Sequence, residues 1–239
     1  MSMAENDYNR RLFSGGIRGF MHNARFDWAR DIVRTFNLPR ISMIELGCFD
    51  GRLIDYMPPR IDRYVGLDAG WEGGLAIGQK RFAGDARFTL QLASDPSALK
   101  AYADKSFNLA AAIETLEHVP PDMVEGYLEE LARVLDGYFI IEAPNEKGPL
   151  FLIKYIAKKL MTGTVQPYTF KELIAATLGR LQDVERNDHK GFDYDALAAQ
   201  VGRHFDLVSV KPIQFPYLPT FASFSIGIVA RSKKPSGIG

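Results

Sequence analysis

Between residues 41 and 143 the chain alternates short β-rich runs with longer amphipathic segments, and this alternation limits its possible folds most. It predicts a parallel sheet covered by helices on both faces, because parallel neighbours need long crossover connections. The last two runs are almost wholly apolar, as expected of central strands. The predicted strands are 41–46, 62–68, 86–92, 107–113 and 137–143. The predicted helical segments between them are 50–57, 74–82, 97–103 and 122–135.

The flanking segments complete this sheet. Residues 14–38 are predicted to form an N-terminal helical arm, and residues 145–191 an insertion after the fifth strand. Two late runs, 206–212 and 223–231, are predicted to form a hairpin that finishes the sheet. We therefore predict one α/β domain over residues 1–239. Its fold is expected to be Rossmann-like, with a doubly wound seven-stranded sheet, mostly parallel with one antiparallel strand near the C-terminus.

Composition excludes several classes of function. Lys plus Arg and Asp plus Glu both number 29, so the chain lacks the basic excess typical of proteins that bind nucleic acid. Its single cysteine, Cys48, excludes an internal disulfide and any multi-thiolate metal site. No apolar run approaches the roughly 18 residues of a membrane-spanning helix. The polar start has no secretory signal pattern, so we expect a cytoplasmic protein with no nucleic-acid partner.

The turn after the first predicted strand, ELGCFDG (45–51), lies where parallel sheets bind ligands. The dinucleotide motif G-x-G-x-x-G would need glycine at positions 47, 49 and 52. Only Gly47 fits, since Phe49 and Arg52 occupy the other two positions, which disfavours NAD. The P-loop motif for nucleoside triphosphates is also missing from the sequence.

Two carboxylates at strand ends suggest a different ligand. Glu45 suits a ligand with a cationic amino group rather than a phosphate. Asp68 ends the second strand, at a spacing from the first turn that suits recognition of ribose hydroxyls. A ribose joined to an amino-acid-like cation points to S-adenosylmethionine.

These residues resemble the class I S-adenosylmethionine-dependent methyltransferases, in particular the small-molecule and ubiquinone-type enzymes. Four segments in order carry the resemblance over most of residues 40–145: ELGCFDG, YVGLD, FNLAAAIETLEHV and ELARVLDGYFIIEAPN. The first has Phe49 where the family has its middle glycine, and the third has Asn108 where the family has Asp.

The resemblance implies a site for S-adenosylmethionine and its product S-adenosylhomocysteine. Glu45 would orient the amino group, Asp68 would bind the ribose, and Glu114 would line the methionine part. Asp95 would contact adenine, although capping of the following helix is an alternative. The implied cofactor-binding residues are Glu45, Gly47, Cys48, Phe49, Gly51, Asp68, Asp95 and Glu114. Cys48 is expected to be a packed side chain rather than a nucleophile.

Two histidines are candidates for the acceptor side. His118 is a candidate general base, because imidazole titrates near neutrality, or else a structural residue of the turn at residues 119–121. His189 resembles a position that lines the acceptor pocket in this group, or is a solvated residue at a helix start. His22 is considered as part of a helix covering the cofactor. No metal is expected, although Glu117 and His118 could contribute to a metal site.

The acceptor is predicted to be a small molecule, lipid-linked compound or glycan precursor, since the insertion and residues 214–224 are rich in apolar and aromatic side chains. Segment 148–161 combines lysines with apolar residues, so it either touches an anionic membrane surface or forms a lid over the acceptor site. A non-catalytic protein that binds S-adenosylmethionine, as a sensor or partner subunit, remains the main alternative.

Overall fold

The computed structural model describes residues 17–187 and 189–234, and in these ranges it has a seven-stranded sheet. The strand order is β3-β2-β1-β4-β5-β7-β6, and β7 runs antiparallel to both of its neighbours. The predicted fold class is therefore confirmed, including the single antiparallel strand and the terminal hairpin. The strands are β1 (Ile41–Leu46), β2 (Ile61–Asp68), β3 (Phe88–Leu92), β4 (Phe107–Ile113), β5 (Leu135–Pro144), β6 (Phe205–Pro212) and β7 (Ser225–Ser232).

Helices cover both faces of this sheet. The α-helices are α1 (Ile17–Thr35), α2 (Gly74–Phe82), α3 (Pro121–Val134), α4 (Pro149–Thr162), α5 (Phe170–Thr177) and α6 (Tyr194–His204). Short 3-10 helices lie at Arg52–Tyr56, Trp71–Gly73, Pro96–Ala101, Leu181–Asp183 and Thr220–Ala222.

Two predicted amphipathic helices are single 3-10 segments instead, at residues 52–56 and 96–101. The first lies between Gly51, whose φ is +74°, and the prolines at 58 and 59, so the chain has no room for further helical turns. The helical arm predicted at 14–38 is observed as α1, while residues 14–16 and the side chain of His22 lie outside the described part.

The order of the strands creates a crevice beside β1. Strand β1 pairs with β2 on one side and with β4 on the other, so the direction of winding reverses between β1 and β4. In open parallel sheets, ligands bind outside the carboxyl ends of the strands at this reversal. Asn108 connects the amino-terminal ends of β1 and β4, which lie away from this crevice. Its side chain accepts from Ser42 N at 3.0 Å and donates to Arg40 O at 2.8 Å.

Helix α1 is part of the core rather than a loose arm. Its buried side chains, Ala29 and Val33, pack in one cluster with Met43, Leu109 and Ile140 from the sheet. The Trp28 ring lies directly against Gly227 of β7, where a Cβ atom would overlap the indole. The Phe36 and Tyr138 rings stack with centroids 3.8 Å apart. Helix α1 is therefore held on one sheet face at several points along its length.

The insertion forms a smaller helical layer of its own. Helices α4 and α5 contact each other around a separate buried cluster, which consists of Phe151, Ala175, Ala176, Leu181 and Val184. Thr169 and Glu172 form a capping box that begins α5. No helix in the described ranges has both the length and the apolar character that crossing a bilayer requires.

Candidate functional site

The turn after β1 holds three residues in the left-handed backbone region: Gly47, Phe49 and Gly51, with φ of +70°, +47° and +74°. Glycine adopts this conformation without strain, whereas a residue with a side chain does so at a cost. Phe49 therefore adopts the left-handed backbone conformation that glycine adopts most easily. Its N–H donates to Asp68 Oδ2 at 2.8 Å, which ties the turn to the end of β2.

Beyond this turn lies a cavity of about 470 Å³. Its wall comes from the turn after β1, the ends of β2 and β4, and helix α1. The predicted site residues in the wall are Glu45, Gly47, Cys48, Phe49, Asp68, Glu114 and His118. Gly51, Asp95 and His189 do not belong to it.

Glu45 is a buried carboxyl group that reaches the cavity from β1. Its Oε2 accepts a hydrogen bond from the hydroxyl of Tyr64. Burial raises the pKa of Glu45 to about 8, against the smaller lowering effect of the Tyr64 bond. The carboxyl is therefore neutral in much of the acidic range, and a cationic ligand beside it would favour ionisation.

Asp68 organises the end of β2. One carboxylate oxygen accepts from Phe49 N, and the other accepts from Gly70 N at 2.7 Å. Each carboxylate oxygen has a further lone pair, so Asp68 can still accept from ligand hydroxyl groups.

Charges in the cavity wall fit a ligand with net positive charge. Two carboxylates are paired, Glu114 with Arg25 and Asp50 with Arg52, the latter at 3.5 Å. Glu45 and Asp68 take part in no ion pair with any residue that the structure describes. S-adenosylmethionine carries a sulfonium, an ammonium and one carboxylate, so these two carboxyl groups fit it.

Glu114 lies directly after β4 with φ of +46°. Its backbone N–H donates to the side chain of the buried Glu142 at 3.1 Å, which fixes the turn against β5. The Arg25 guanidinium of α1 forms an ion pair with the Glu114 carboxylate. Helix α1 thus places a positive charge at the cavity wall, beside a residue expected to line the methionine part.

Three predicted residues have local structural partners. A Cβ at Gly51 would come within 2.7 Å of Phe82, so this glycine allows close packing of the turn. Asp95 is exposed and caps the following 3-10 helix, accepting from Ser97 N at 2.8 Å, as the alternative interpretation has it. Burial raises the pKa of the Cys48 thiol far above its usual range, which fits a packed side chain.

The two candidate histidines lie together. The rings of His118 and His189 have centroids 4.4 Å apart, edge to face, and Trp71 lies 6.4 Å from His118. The backbone N–H of His118 donates to Thr115 O at 3.0 Å, so this residue also closes its own turn. Glu117 lies beneath them and is 1% exposed. Burial, followed by the nearby Glu142 and Glu114, raises the pKa of Glu117.

Sequence reasoning missed several residues of the cavity wall. Thr115 lies so close to Gly47 that a Cβ there would overlap its side chain, and its Oγ1 is 3.1 Å from Leu46 O. Arg25 and Trp71 come from α1 and from the turn after β2. Thr115 directly follows Glu114, so its place in the cavity wall could have been predicted from the sequence. The place of Arg25 could not, because no spacing rule relates α1 to β4.

Comparisons with known proteins agree with this geometry. Residues 44–141 match the profile of a family described as a methyltransferase domain. An S-adenosylmethionine-dependent methyltransferase from Clostridium acetobutylicum is similar in structure, with a TM-score of 0.62 and 13% identity over 96% of this chain and 100% of that one. The methyltransferase domain of bacterial CtHen1-CN has a TM-score of 0.58 and 18% identity, over 88% and 99%.

A similar methyltransferase from Aquifex aeolicus has a TM-score of 0.55 and 10% identity, over 91% of this chain and 97% of that one. No curated protein sequence matches the chain significantly. Identities this low establish the fold alone, whereas the family profile covers all the segments that build the cavity except α1. Residues 44–141 therefore match a methyltransferase domain, and together with the similar S-adenosylmethionine-dependent structures this match implies S-adenosylmethionine as the cofactor.

Proposed function

We propose that this protein catalyses transfer of a methyl group from S-adenosylmethionine to a small-molecule, lipid-linked or glycan-precursor acceptor. The observation that carries the proposal is the cavity at the carboxyl ends of β1, β2 and β4. Its two carboxyl groups without ion-pair partners among the described residues, Glu45 and Asp68, suit an amino-acid cation and a ribose.

Binding and orientation are the main tasks of the cavity residues. Glu45 is proposed to hold the cofactor's ammonium group, Asp68 the ribose hydroxyls, and Glu114 and Thr115 to border the methionine part. Bound S-adenosylmethionine supplies an activated methyl group: an acceptor atom bonds to the methyl carbon, the carbon–sulfur bond breaks, and its electron pair stays on sulfur. Such alignment of reactants supplies on the order of 7–11 kcal/mol of a barrier.

A hydroxyl acceptor must also lose a proton. His118 lies in the cavity wall beyond the end of β4, so it is our candidate to accept that proton. General bases typically contribute about 10²–10⁴-fold. We therefore expect His118→Ala to lower kcat within that range while leaving the affinity for S-adenosylhomocysteine nearly unchanged.

The acceptor side is proposed to face the insertion. The described residues of the insertion lie outside the cavity wall, although the His189 ring contacts that of His118 at the edge of the cavity. Helix α4 exposes a row of apolar side chains, Ile153, Ile156 and Leu160, and Leu160 is 81% exposed. Helix α5 exposes Phe170 and Ile174 in the same way. An exposed apolar surface on the insertion suits a lipid-linked acceptor.

The same surface is proposed to contact a membrane. Lys158 and Lys159 lie on α4 among the exposed apolar side chains, and Lys171 lies on α5. Apolar side chains with flanking lysines favour binding to anionic lipid surfaces. A lid packed over the acceptor site is the competing role for this segment.

Transfer of label from methyl-labelled S-adenosylmethionine tests the proposal. Lipid-linked saccharides and free saccharides serve as separate acceptor panels, and Asp68→Ala serves as the cofactor-site control. We expect label in the lipid-linked panel and none with Asp68→Ala. Binding of S-adenosylhomocysteine without label transfer to either panel would favour a non-catalytic sensor or partner subunit.

A further inference from the structure

We propose that Glu117, His118 and His189 form a binding site for one divalent transition-metal ion at the edge of the cavity. One ligand atom from each residue lies within 4.8 Å of the others. Two ligands of a common ion, each at about 2.1 Å, are at most about 4.2 Å apart. Small side-chain rotations therefore bring the three atoms to coordination distance.

The Glu117 carboxyl group is the second, independent observation. It is 1% exposed, and neither of its oxygens has a hydrogen-bond partner among the described residues. Burying a polar group without a partner is costly. Protonation would not remove the problem, because the resulting O–H would still lack an acceptor. A bound cation would satisfy the carboxylate directly.

Hydrogen bonds hold the backbone around Glu117 in place. Arg186 donates to the backbone oxygen of Glu117 at 2.6 Å, which connects the β4 turn to the segment that carries His189. Glu114, three residues before Glu117, donates its backbone N–H to the Glu142 carboxyl group at 3.1 Å, which fixes the same turn against β5.

Ligand chemistry narrows the choice of ion. Two imidazole nitrogens and one carboxylate oxygen suit Zn²⁺, Mn²⁺, Fe²⁺ or Co²⁺ and are unlike the all-oxygen sites of Mg²⁺ and Ca²⁺. The two histidines come from distant parts of the chain, which explains why the sequence alone predicted no metal. Three protein ligands would leave positions for water or an acceptor oxygen.

Such an ion would stabilise an acceptor hydroxyl in its deprotonated form, with the proton released to solvent, and His118 would then act as a ligand instead of a base. This role rests on the proposed methyl transfer, whereas metal binding itself does not. With the ion bound, the acceptor is expected to have an oxygen atom that can coordinate it.

The test uses Co²⁺ and the full chain after removal of metals. We expect one Co²⁺ per chain with a visible absorption band, and quenching of Trp71 fluorescence, because Trp71 lies 6.4 Å from His118. Removing only a second-shell partner already costs about 10–100-fold in metal affinity. Loss of a ligand in Glu117→Gln or His189→Gln is therefore expected to weaken binding by more than about tenfold.

His204→Gln is the matched control, since His204 binds Glu125 on another surface of the molecule. It should bind Co²⁺ as the wild type does, and all variants should bind S-adenosylhomocysteine. Absence of Co²⁺ binding, or equal binding by all three variants, would overturn the metal site. Co²⁺ binding by a chain that does not bind S-adenosylhomocysteine would overturn the proposed function and leave the metal site standing.

Discussion

Glu45 and Phe49 show how single residues in one turn determine the properties of the cavity. The position of Glu45 at the end of the first strand predicted a carboxyl group at the site, and Glu45 lies in the cavity wall. It could not reveal the contact with Tyr64, because that contact depends on the register of β1 against β2. Phe49 was noted as a departure from glycine. Its positive φ and its packing against Gly74 follow only from the three-dimensional structure.

The raised pKa of Glu45 predicts a pH dependence of cofactor binding. A bound ammonium favours the ionised carboxylate, so binding releases a proton below pH 8. Affinity for S-adenosylhomocysteine should therefore rise between pH 6 and pH 8, by at most about tenfold per unit. Calorimetry across this range measures the effect, with Glu45→Gln as the variant that should bind weakly and without this slope.

The same carboxyl group makes the free energy of unfolding fall as the pH rises, whereas it makes the affinity for the ligand increase. Its pKa in the folded state lies above the ordinary value, so its stabilising contribution is complete below about pH 4.5 and is lost as pH rises through about 8. The melting temperature of the wild type should thus fall relative to that of Glu45→Gln between pH 6 and pH 8. Parallel melting curves would show that Glu45 is not the titrating group.

Gly74 and Phe49 form a second test at this scale. Gly74 has ordinary helical dihedral angles, and the three atoms nearest to a Cβ there all belong to the Phe49 ring. We expect Gly74→Ala to destabilise the fold by about 1–3 kcal/mol through overpacking. Phe49→Gly combined with Gly74→Ala should recover most of that loss in chemical denaturation. Gly84→Ala is the control, since nothing lies within 4 Å of a Cβ there, and no recovery in the double variant would refute the contact.

At the scale of elements, the parallel sheet was predictable from alternating patterns, whereas the docking of α1 was not. Strand β4 was predicted residue for residue, because its run is wholly apolar except for Asn108. Longer helices were predicted around residues 52–56 and 96–101, and this prediction was wrong. Glycine and proline limit both segments to single 3-10 helices. The place of α1 depends on contacts with β7, about two hundred residues away in the chain.

Docking of α1 should control cofactor affinity through Arg25. Gly227→Ala would overlap the Trp28 ring and move α1 away from β7. We expect a loss of about 1–3 kcal/mol in the free energy of unfolding and weaker binding of S-adenosylhomocysteine. Trp28→Ala in the Gly227→Ala background should relieve the overlap. It would distinguish displacement of α1 from general destabilisation as the cause of weaker binding. Unchanged binding in Gly227→Ala would mean that α1 is not part of the cofactor site.

At the scale of the molecule, the two layers have different tasks. The sheet with α1, α2, α3 and α6 forms the two main core clusters, and the cavity lies at the carboxyl ends of its strands. The insertion packs as its own small cluster and leaves apolar side chains exposed on α4 and α5. Its sequence showed the apolar and basic composition. It did not show which side of α4 faces solvent, because apolar residues occur all around that helix.

This exposed surface predicts binding to anionic vesicles. The wild type should co-sediment with vesicles that contain an anionic lipid, more weakly at high salt. The double variant Ile156→Glu and Leu160→Glu should lose that binding and keep its affinity for S-adenosylhomocysteine. Leu92→Glu is the matched control, because Leu92 is 71% exposed on β3 at the opposite sheet edge. Equal vesicle binding by all variants would support the lid interpretation instead.

Above all, we propose that the cavity at the end of β1 binds S-adenosylmethionine. The most direct measurement is calorimetric titration of the cofactor-free protein with S-adenosylhomocysteine, with NAD as the parallel control. We predict one site per chain with micromolar affinity for S-adenosylhomocysteine, no binding of NAD, and loss of the site in Asp68→Ala. No binding of S-adenosylhomocysteine by the folded wild type would contradict the account.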